Sequence, residues 1–319
     1  MVMEPKVFIL VLNWNGKDHV LGCLDSLKDL EYKNFEIAVV DNGSVDGSER
    51  ATQELYPNVN VIQNRRNLGY AEGNNRGIQS ALENGADYIF LVNNDTRIHQ
   101  KCLTELVKAA EENSNVGILG PIAFDYETGR QPLDSGFRIN FDLPGRSLIF
   151  EPISRESMSE RANNVFKVDF VQGDAFFVRK TVFKKIGLFD QRFFLLNEEA
   201  DFCIRARNAG FDTAVVKSAR FQRMNSPTVG KNTPLRSYYA TRNTFLFVSK
   251  HTTGVRKRRS IIQILKKITW DIKDYYLPNL FRTKDFTYFK NILAILHGSF
   301  DFFIKKFGRV RIWKGRVNL

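Results

Sequence analysis

Runs of largely apolar residues alternate, in the first part of the chain, with segments whose apolar positions recur every three or four residues. The runs cover residues 7–12, 36–40, 59–63, 88–92 and 116–119, and they predict buried strands. The segments between them predict helices over 20–30, from Asp46 onward, over 71–84 and over 99–113. Strands and helices in this order predict βαβ units with right-handed crossovers. We therefore predict an α/β fold with a mostly parallel sheet flanked by helices.

The second part of the chain follows a different pattern. Glycine and proline interrupt every periodicity over residues 125–164, which predicts a long loop excursion of the length that lids have. Strand-like character returns over 165–179, followed by predicted helices at 181–186 and 197–208. Beyond residue 250, apolar and aromatic positions interleave with Lys and Arg. We predict an α/β domain at 1–250 and a basic, amphipathic helical region at 251–319.

Three polar residues stand where predicted strands end. Asn13, Asp41 and Asp95 each follow a strand of the predicted parallel sheet. Because ligands of open α/β sheets bind beyond the carboxyl ends of the strands, we expect these residues to share one site.

The net charge of +12 is concentrated near the end of the chain. From His251 onward the sequence has sixteen Lys and Arg against four Asp. A surface of this kind favours an anionic partner, such as lipid headgroups, nucleic acid or a phosphorylated substrate. An amphipathic basic tail favours an anionic membrane surface. The alternative is that the helices pack on the protein and their basic side is solvated.

Several classes of protein are excluded by missing motifs. The sequence has no P-loop, no dinucleotide-binding fingerprint and no GxSxG elbow, and its four histidines are scattered. Its three cysteines form no CxxC pair, which is typical of a reducing compartment. We find no signal peptide and no spanning apolar run, so we expect a cytoplasmic location.

Two acidic segments offer groups suited to metal binding and to acid–base catalysis. Asn93-Asn94-Asp95 offers carboxylate and amide oxygens, which suit a hard cation such as Mg²⁺ or Mn²⁺, although the same residues are common in turns. Glu198 and Glu199 open a predicted helix, where one carboxylate can serve as a general base. Their alternative role is to complement the helix dipole.

The order of motifs resembles the family-2 glycosyltransferases of the GT-A fold, particularly the rhamnosyltransferase-like branch. The resemblance rests on LNWN at 12–15, VVDNGS at 39–44, NLGYAEGNNRG at 67–77, FLVNNDT at 90–96, GLFD at 187–190, FFLLNEEAD at 193–201 and YATRN at 239–243. It covers residues 7 to 250 and implies a Rossmann-like GT-A sheet with a C-terminal helical extension.

The resemblance implies a role for each site residue. Asp41 is similar to the acid that contacts the nucleotide base, with Asn13 and Asn42 in the same pocket, and Arg76 to the basic residue near the base and diphosphate. Asp95 takes the place of the metal-binding acid, with Asn93 and Asn94 in the earlier positions of a DxD-type motif. Glu199 stands where the general base is expected, in a Glu-Glu pair that replaces the usual Glu-Asp, with Glu198 as the second choice.

One position departs from the family pattern. Many relatives carry a histidine in the segment that corresponds to residues 219–226, where it helps to hold the metal or the diphosphate, and this segment has none. We hypothesise that Arg223 supplies a positive charge to the leaving phosphate. The alternative is a solvated surface arginine.

These expectations define a function. The resemblance implies an inverting enzyme that transfers a sugar from dTDP-rhamnose or a UDP-sugar to the hydroxyl of a saccharide or lipid-linked acceptor, in cell-surface polysaccharide or glycolipid assembly. We expect it at the inner face of the membrane. The alternatives are an inactive nucleotide-sugar-binding protein and, with less support, a nucleic-acid-binding protein. The sequence does not indicate an oligomeric state.

Overall fold

The computed structural model describes residues 4–127, 135–141, 150–153, 163–224 and 233–310. The chain divides into two compact units. The first consists of Met1–Arg138, Pro152–Asp190 and Glu199–Asn225, and the second of Ile139–Glu151, Gln191–Glu198 and Ser226–Leu319. The helix Pro234–His251 therefore groups with the C-terminal helices, and the functional division after residue 250 stays a prediction.

The first unit is built on one large sheet with helices along the chain between its strands. Its strands are β1 (Val7–Asn13), β2 (Phe35–Asp41), β3 (Asn60–Gln63), β4 (Tyr88–Asn93), β5 (Thr96–Ile98), β6 (Val116–Asp125), β9 (Val165–Val168), β11 (Ala175–Arg179) and β12 (Asp212–Arg223). Two shorter strands, β7 (Gly136–Ile139) and β10 (Phe170–Val171), pair with each other, and β8 spans Phe150–Pro152. The helices are α1 (Lys17–Lys28), α2 (Ser48–Leu55), α3 (Gly69–Glu83), α4 (Cys102–Glu112), α5 (Lys180–Ile186) and α6 (Glu198–Asn208).

The strand order explains how the sheet builds one functional edge. Strands run in the order β3-β2-β1-β4-β11-β6-β12-β5, with β9 also paired to β12. The pairs β3–β2, β2–β1 and β1–β4 are parallel, and β11 is antiparallel to β4 and β6. Asn13 pairs with Asp41 in the β1–β2 register, so the carboxyl ends of β1 and β2 lie side by side.

The predicted strands and helices of the first part are all present, because their apolar runs form the core. Val7, Ile9, Phe90 and Val92 are among the side chains buried in the cluster around the sheet. The helix predicted from residue 99 begins three residues later, at Cys102, and the strand predicted at 116–119 continues to Asp125. The predicted elements did not include β5 or β12, nor β7 and β8, which lie within the stretch predicted as a loop.

The second unit contains the C-terminal helices. They are α7 (Pro234–His251), α8 (Gly254–Asp271), a π-helical turn at Ile272–Tyr276, α9 (Leu277–Thr283) and α10 (Phe286–Phe303). Helix α7 packs on α10, and Phe245 stacks on Phe302 with ring centroids 5.0 Å apart. At the same interface the Tyr238 hydroxyl donates to the buried carboxylate of Asp301 over 2.6 Å.

The predicted loop excursion at 125–164 falls mainly on residues 128–134, 142–149 and 154–162, which lie outside the described residues. Its role as a lid stays a prediction. Of the helices that the structure describes, none is long and apolar enough to cross a membrane.

Candidate active site

Polar side chains from five segments of the first unit form a continuous line along the carboxyl edge of its sheet. Asn13 lies between Asp41 and Asn94, since its amide donates to Asp41 over 3.3 Å and its carbonyl oxygen accepts from Asn94 over 2.7 Å. Asn93 precedes Asp95 by two residues, and its side-chain amide donates to Asp174 over 2.9 Å. The next residue back from Asp174, Gly173, contacts Glu199. The structure thus places Asp41, Asp95 and Glu199 along one edge of the sheet. These are the acids predicted to contact the nucleotide base, the metal ion and the acceptor proton.

The β2 end of this line is closely packed. Asp41 is fully buried, and one carboxylate oxygen accepts hydrogen bonds from the backbone N–H groups of Gly43 and Ser44, at 3.1 and 2.8 Å. Its hydrogen bonds therefore hold the turn after β2, and the Asn13 amide also lies 3.3 Å from the Ser44 hydroxyl. Contact between Asp41 and a nucleotide base stays a prediction.

Asn42 and Arg76 differ in how they relate to this line. The Asn42 amide donates to the Gly69 carbonyl over 3.0 Å and accepts from the Leu68 backbone over 3.1 Å, so it shapes the loop before α3. Arg76 lies on the exposed side of α3, where it pairs with Glu72 at 3.3 Å and its side chain is 55% exposed. Neither contact tests the nucleotide-binding role predicted for these residues.

Asp95 and Asp174 are neighbouring carboxylates in a poorly solvated region. Burial, followed by the negative charge of Asp174, raises the pKa of Asp95 to about 6. The positive charges of Arg223 and His19 lower this pKa to a smaller extent. One carboxylate oxygen of Asp95, Oδ1, is buried without a hydrogen-bond partner among the described residues. A buried anionic oxygen of this kind is costly unless a ligand or ion satisfies it.

Arg223 lies at the end of β12 and points into this cluster. Its guanidinium Nη1 donates to Asp174 Oδ2 over 2.6 Å and to Gln172 Oε1 over 3.3 Å. The charge of Asp174 raises the pKa of Arg223 further, so its side chain is a fixed cation. Its side chain is 36% exposed, so the guanidinium is also accessible to a ligand. Arg223 is therefore ion-paired with Asp174 and partly accessible, and its role at the leaving phosphate stays a prediction.

Glu199 lies at the start of α6 and is held by the turn between β10 and β11. Its Oε1 accepts from the Gly173 backbone N–H over 3.2 Å. Burial first, and then the charge of Asp174, raises the pKa of Glu199 to about 7, against the lowering effect of backbone hydrogen bonds. A carboxyl group that titrates near neutrality can exchange a proton at physiological pH, which is what a general base requires.

Gly173 allows Tyr70 and Glu199 to approach the same backbone. The Tyr70 hydroxyl donates to the Gly173 carbonyl over 2.8 Å. A β-carbon at position 173 would overlap both the Tyr70 hydroxyl and the Glu199 carboxylate. A side chain at this position would displace the Tyr70 hydroxyl and the Glu199 carboxylate, and glycine leaves both in place.

Glu198, the second choice for the base, is 1% exposed and belongs to the second unit. The segment before it in that unit is strained, because Phe194, Leu196 and Asn197 all have positive φ. The Asn243 amide compensates by donating to the carbonyls of Phe193, Leu195 and Leu196, at 2.7–2.9 Å.

Arg242 supports the same strained segment. It is 1% exposed and donates to the carbonyls of Arg192 and Phe193, each at 2.9 Å. The YATRN motif therefore has a structural role in the segment that precedes Glu198 and Glu199. Strain of this kind is commonly stored beside functional groups.

The residues at this edge fit a hard divalent cation. Asp95 offers an unsatisfied buried oxygen, and carboxylate oxygens are the ligands that Mg²⁺ and Mn²⁺ prefer. No cluster of three or more His, Cys, Asp or Glu at metal-binding geometry occurs in the described ranges. A cation here would therefore need oxygens from a phosphorylated ligand, as is common for Mg²⁺ sites with one or two carboxylates.

Sequence reasoning missed Asp174, and the sheet topology explains why. The strand pattern predicts site residues where parallel strands end, whereas Asp174 stands where β11 begins. Because β11 is antiparallel to β4, with Ala175 opposite Val92, its first residues lie at the carboxyl edge. The available signal was an aspartate between a glycine and a buried apolar run.

Comparison with known proteins gives one family. The model described as "Glycosyl transferase family 2" matches residues 8–187. The chain is 25% identical over 261 residues to N-acetylglucosaminyl-diphospho-decaprenol L-rhamnosyltransferase of Mycobacterium tuberculosis (strain ATCC 25618 / H37Rv), covering 77% of this chain and 85% of that protein. It is 24% identical to the dTDP-rhamnosyl transferase RfbF of Shigella flexneri, with 78% and 82% covered.

Solved structures agree in fold. The mannosyltransferase PcManGT from Pyrobaculum calidifontis, in complex with GDP-Man and Mn²⁺, matches with a TM-score of 0.59 at 12% identity, over 96% of this chain and 89% of that one. TarS 1–349 of S. aureus, in complex with UDP-GlcNAc, matches with a TM-score of 0.57 at 14% identity, over 96% and 94%.

Proposed function

The chain belongs to glycosyl transferase family 2, and we propose that it transfers a sugar from a nucleotide-diphosphate donor to an acceptor hydroxyl with inversion at the anomeric carbon. The observation that carries this proposal is the placement of Glu199. A carboxyl group whose pKa is raised to about 7 lies one hydrogen bond from the turn that bears Asp174, within the charge field of the Asp95 cluster. This arrangement places a proton acceptor near Asp95, which can bind a cation, and Arg223, which can bind phosphate.

In the proposed reaction, Glu199 accepts the proton of the acceptor hydroxyl as that oxygen attacks the anomeric carbon. The bond from the anomeric carbon to the diphosphate oxygen breaks on the opposite face, and the nucleoside diphosphate leaves with the bonding electron pair. A single displacement of this kind inverts the anomeric centre. Arg223 stabilises the negative charge that develops on the leaving diphosphate.

Asp95 is the residue that would hold a Mg²⁺ or Mn²⁺ ion, through its unpartnered carboxylate oxygen. When bound, such an ion neutralises charge on the diphosphate leaving group. Asn13, Asp41, Asn42 and Asn94 are the proposed surroundings of the nucleotide, and Arg76 a proposed contact to its base or diphosphate.

For the donor we propose dTDP-rhamnose, with a UDP-sugar as the alternative. The support is that two relatives are named as rhamnosyltransferases, one of them as a dTDP-rhamnosyl transferase. A structural neighbour was solved in complex with UDP-GlcNAc, which supports a UDP-sugar as the alternative donor. A lipid-linked acceptor is supported by the decaprenol named in the mycobacterial relative.

The second unit supports an additional proposal, that the protein binds the inner face of an anionic membrane. Its helix α10 is apolar on two sides. One side, which includes Ile292, Ala294 and Ile295, is buried, and the other exposes a stripe of Phe286, Phe289, Leu293, Leu296, Phe300 and Phe303. A helix that is apolar on both its buried and its exposed side is typically buried against protein or lipid.

Charge favours lipid as that cover. Most exposed large apolar side chains of the described residues lie in this tail, including Trp270 at 60% and Phe281 at 76%. They are interspersed with the sixteen bases. A second copy of the chain would bring two basic tails together, whereas anionic headgroups would neutralise them.

The test of the enzymatic proposal is donor turnover. Purified protein is incubated with Mn²⁺ and dTDP-rhamnose, UDP-GlcNAc or another UDP-sugar, with a lipid-linked diphosphate saccharide as acceptor, and release of nucleoside diphosphate is measured. We expect release with one donor, and its loss in Asp95→Ala. Donor-dependent thermal stabilisation without any release would instead favour an inactive sugar-nucleotide-binding protein.

Flotation on liposomes tests the membrane proposal. The full chain should float with phosphatidylglycerol vesicles, less with phosphatidylcholine vesicles, and less at high salt. The variant Phe286→Ser/Phe300→Ser/Phe303→Ser should lose most of this binding. The matched control is Val45→Ser/Leu55→Ser, which changes exposed apolar residues outside the tail. Equal flotation by all three proteins would rule out the tail as the binding surface.

A further inference from the structure

Asp174 connects two functional elements of the site, and the sequence predicts no role for it. Its Oδ1 accepts from Asn93 over 2.9 Å and its Oδ2 accepts from Arg223 over 2.6 Å. Its side chain is 18% exposed, so it is only partly screened by water. Its negative charge acts on both Asp95 and Glu199. Asp174 therefore lies electrostatically between the proposed metal ligand and the proposed base.

The charges at this edge do not balance without ligands. Asp95 and Asp174 are two carboxylates, and Arg223 pairs with only one of them. Asp95 keeps a buried oxygen without a partner among the described residues. A divalent cation that binds alone must compete with Arg223 for Asp174. A diphosphate that binds alone meets the repulsion of two carboxylates. The two ligands together give every charged group a partner of opposite charge, with the cation on the carboxylates and the guanidinium on the phosphates.

We propose that Asp174 joins Asp95 as a ligand of the divalent cation, and that Arg223 leaves Asp174 for the donor diphosphate when both ligands bind. Asp174 is then the second protein ligand of a site whose family histidine is missing. Arg223 acts as an internal substitute for the cation in the free protein. The inference rests on the proposed function, since it assumes a nucleotide-diphosphate donor and a cation at Asp95.

Cooperativity between the two ligands follows from this exchange. Each ligand removes an obstacle to the other, so the presence of one should raise the affinity of the other by the same factor. Couplings of this kind are typically about 5- to 150-fold. If Asp174 only aims Arg223, the ion pair stays closed and each residue acts on the cation only through its charge near Asp95. The gain of Mn²⁺ affinity in Arg223→Gln should then persist when Asp174→Asn is added, whereas the proposed exchange requires that Asp174→Asn removes this gain.

The experiment measures Mn²⁺ binding through the electron paramagnetic resonance signal of free Mn²⁺, with and without dTDP or UDP. In the wild-type protein we expect weak binding that the nucleotide strengthens at least about fivefold. In Arg223→Gln we expect tighter Mn²⁺ binding without nucleotide and a smaller effect of nucleotide. In Asp174→Asn we expect weaker Mn²⁺ binding in both conditions.

The controls separate this inference from a folding defect. Arg220→Gln removes an arginine three residues earlier on β12, whose guanidinium lies over the Phe124 ring, and should leave Mn²⁺ binding unchanged. Asp169→Asn removes an ion-paired aspartate outside the site and should do the same. A gain of affinity in Arg223→Gln cannot arise from unfolding, and the loss of that gain in Arg223→Gln/Asp174→Asn separates a ligand role of Asp174 from the mere removal of one positive charge beside Asp95.

The outcomes also separate this inference from the proposed function. Mn²⁺ binding that is lost in Asp95→Asn but unchanged in both Arg223→Gln and Asp174→Asn would overturn the role of Asp174 and leave the transferase proposal intact. Absence of Mn²⁺ binding by the wild-type protein, with every nucleotide, would overturn both.

Discussion

Replacing Glu199 by glutamine should stabilise the protein at alkaline pH while it removes activity. The pKa of Glu199 is raised from 4.5 to about 7, mainly by burial. At about 1.36 kcal/mol per pKa unit, ionising this carboxyl in the folded protein costs up to about 3 kcal/mol relative to the unfolded chain. Glutamine has a similar shape and no charge, so it avoids this cost.

The sign of the pH dependence follows from proton binding. Between pH 4.5 and 7 the folded protein keeps the Glu199 proton while the unfolded chain has released it, so stability falls as pH rises through this window and then levels off. The difference in free energy of unfolding between Glu199→Gln and the wild type should therefore be small and independent of pH below pH 4.5. It should grow to about 3 kcal/mol in favour of the variant by pH 8.

Activity should change in the opposite direction. Loss of a general base typically lowers kcat by about 10²- to 10⁴-fold, and wild-type kcat/KM should rise with pH up to about 7 as the base loses its proton. Urea unfolding at pH 5 and pH 8, together with nucleoside diphosphate release, measures both effects. The control is Glu83→Gln, an exposed glutamate on α3. A stability difference that is equal at the two pH values would refute the reasoning, because the cost of ionising Glu199 would then be absent.

Three further substitutions test other parts of the site. Asp95→Asn should abolish the stimulation of activity by Mn²⁺, measured by titrating the metal, whereas the exposed Asp29→Asn should behave as wild type. Gly173→Ala should destabilise the protein by about 1–3 kcal/mol through overpacking and lower kcat, measured by thermal melting and turnover, since the new methyl group meets Tyr70 and Glu199. Asn243→Ala should cost about 2–5 kcal/mol in urea unfolding, because the carbonyls of Leu195 and Leu196 lose their donor while that of Phe193 keeps Arg242. A cost below about 1 kcal/mol would show that water replaces the amide.

The parts of the fold that the sequence predicted well share a local cause. Strands β1 and β4 are buried on both sides, so every residue in them except the final asparagine is apolar and the pattern is visible in the sequence. The strands β5 and β12 were missed because their pairing is non-local. Thr96–Ile98 is too short to show a period, and β12 carries Lys217, Arg220 and Arg223 within its run and has irregular register with β6.

The candidate site divides in the same way. Asn13, Asp41 and Asp95 could be grouped in advance because parallel strands end at a common edge. Asp174 and Arg223 could not, because their proximity depends on β11 running antiparallel to β4 and on β12 extending to the site edge.

Local patterns were thus enough to specify the alternating strands and helices, the motifs of the family and the basic amphipathic tail, because each depends on residues close together along the chain. The ion pair of Asp174 and Arg223, the raised pKa of Glu199 and the buried oxygen of Asp95 arise only when the sheet is assembled. Burial and the field of distant charges set these properties. Neither property has a value until residues 25 to 128 positions apart along the chain share one poorly solvated edge.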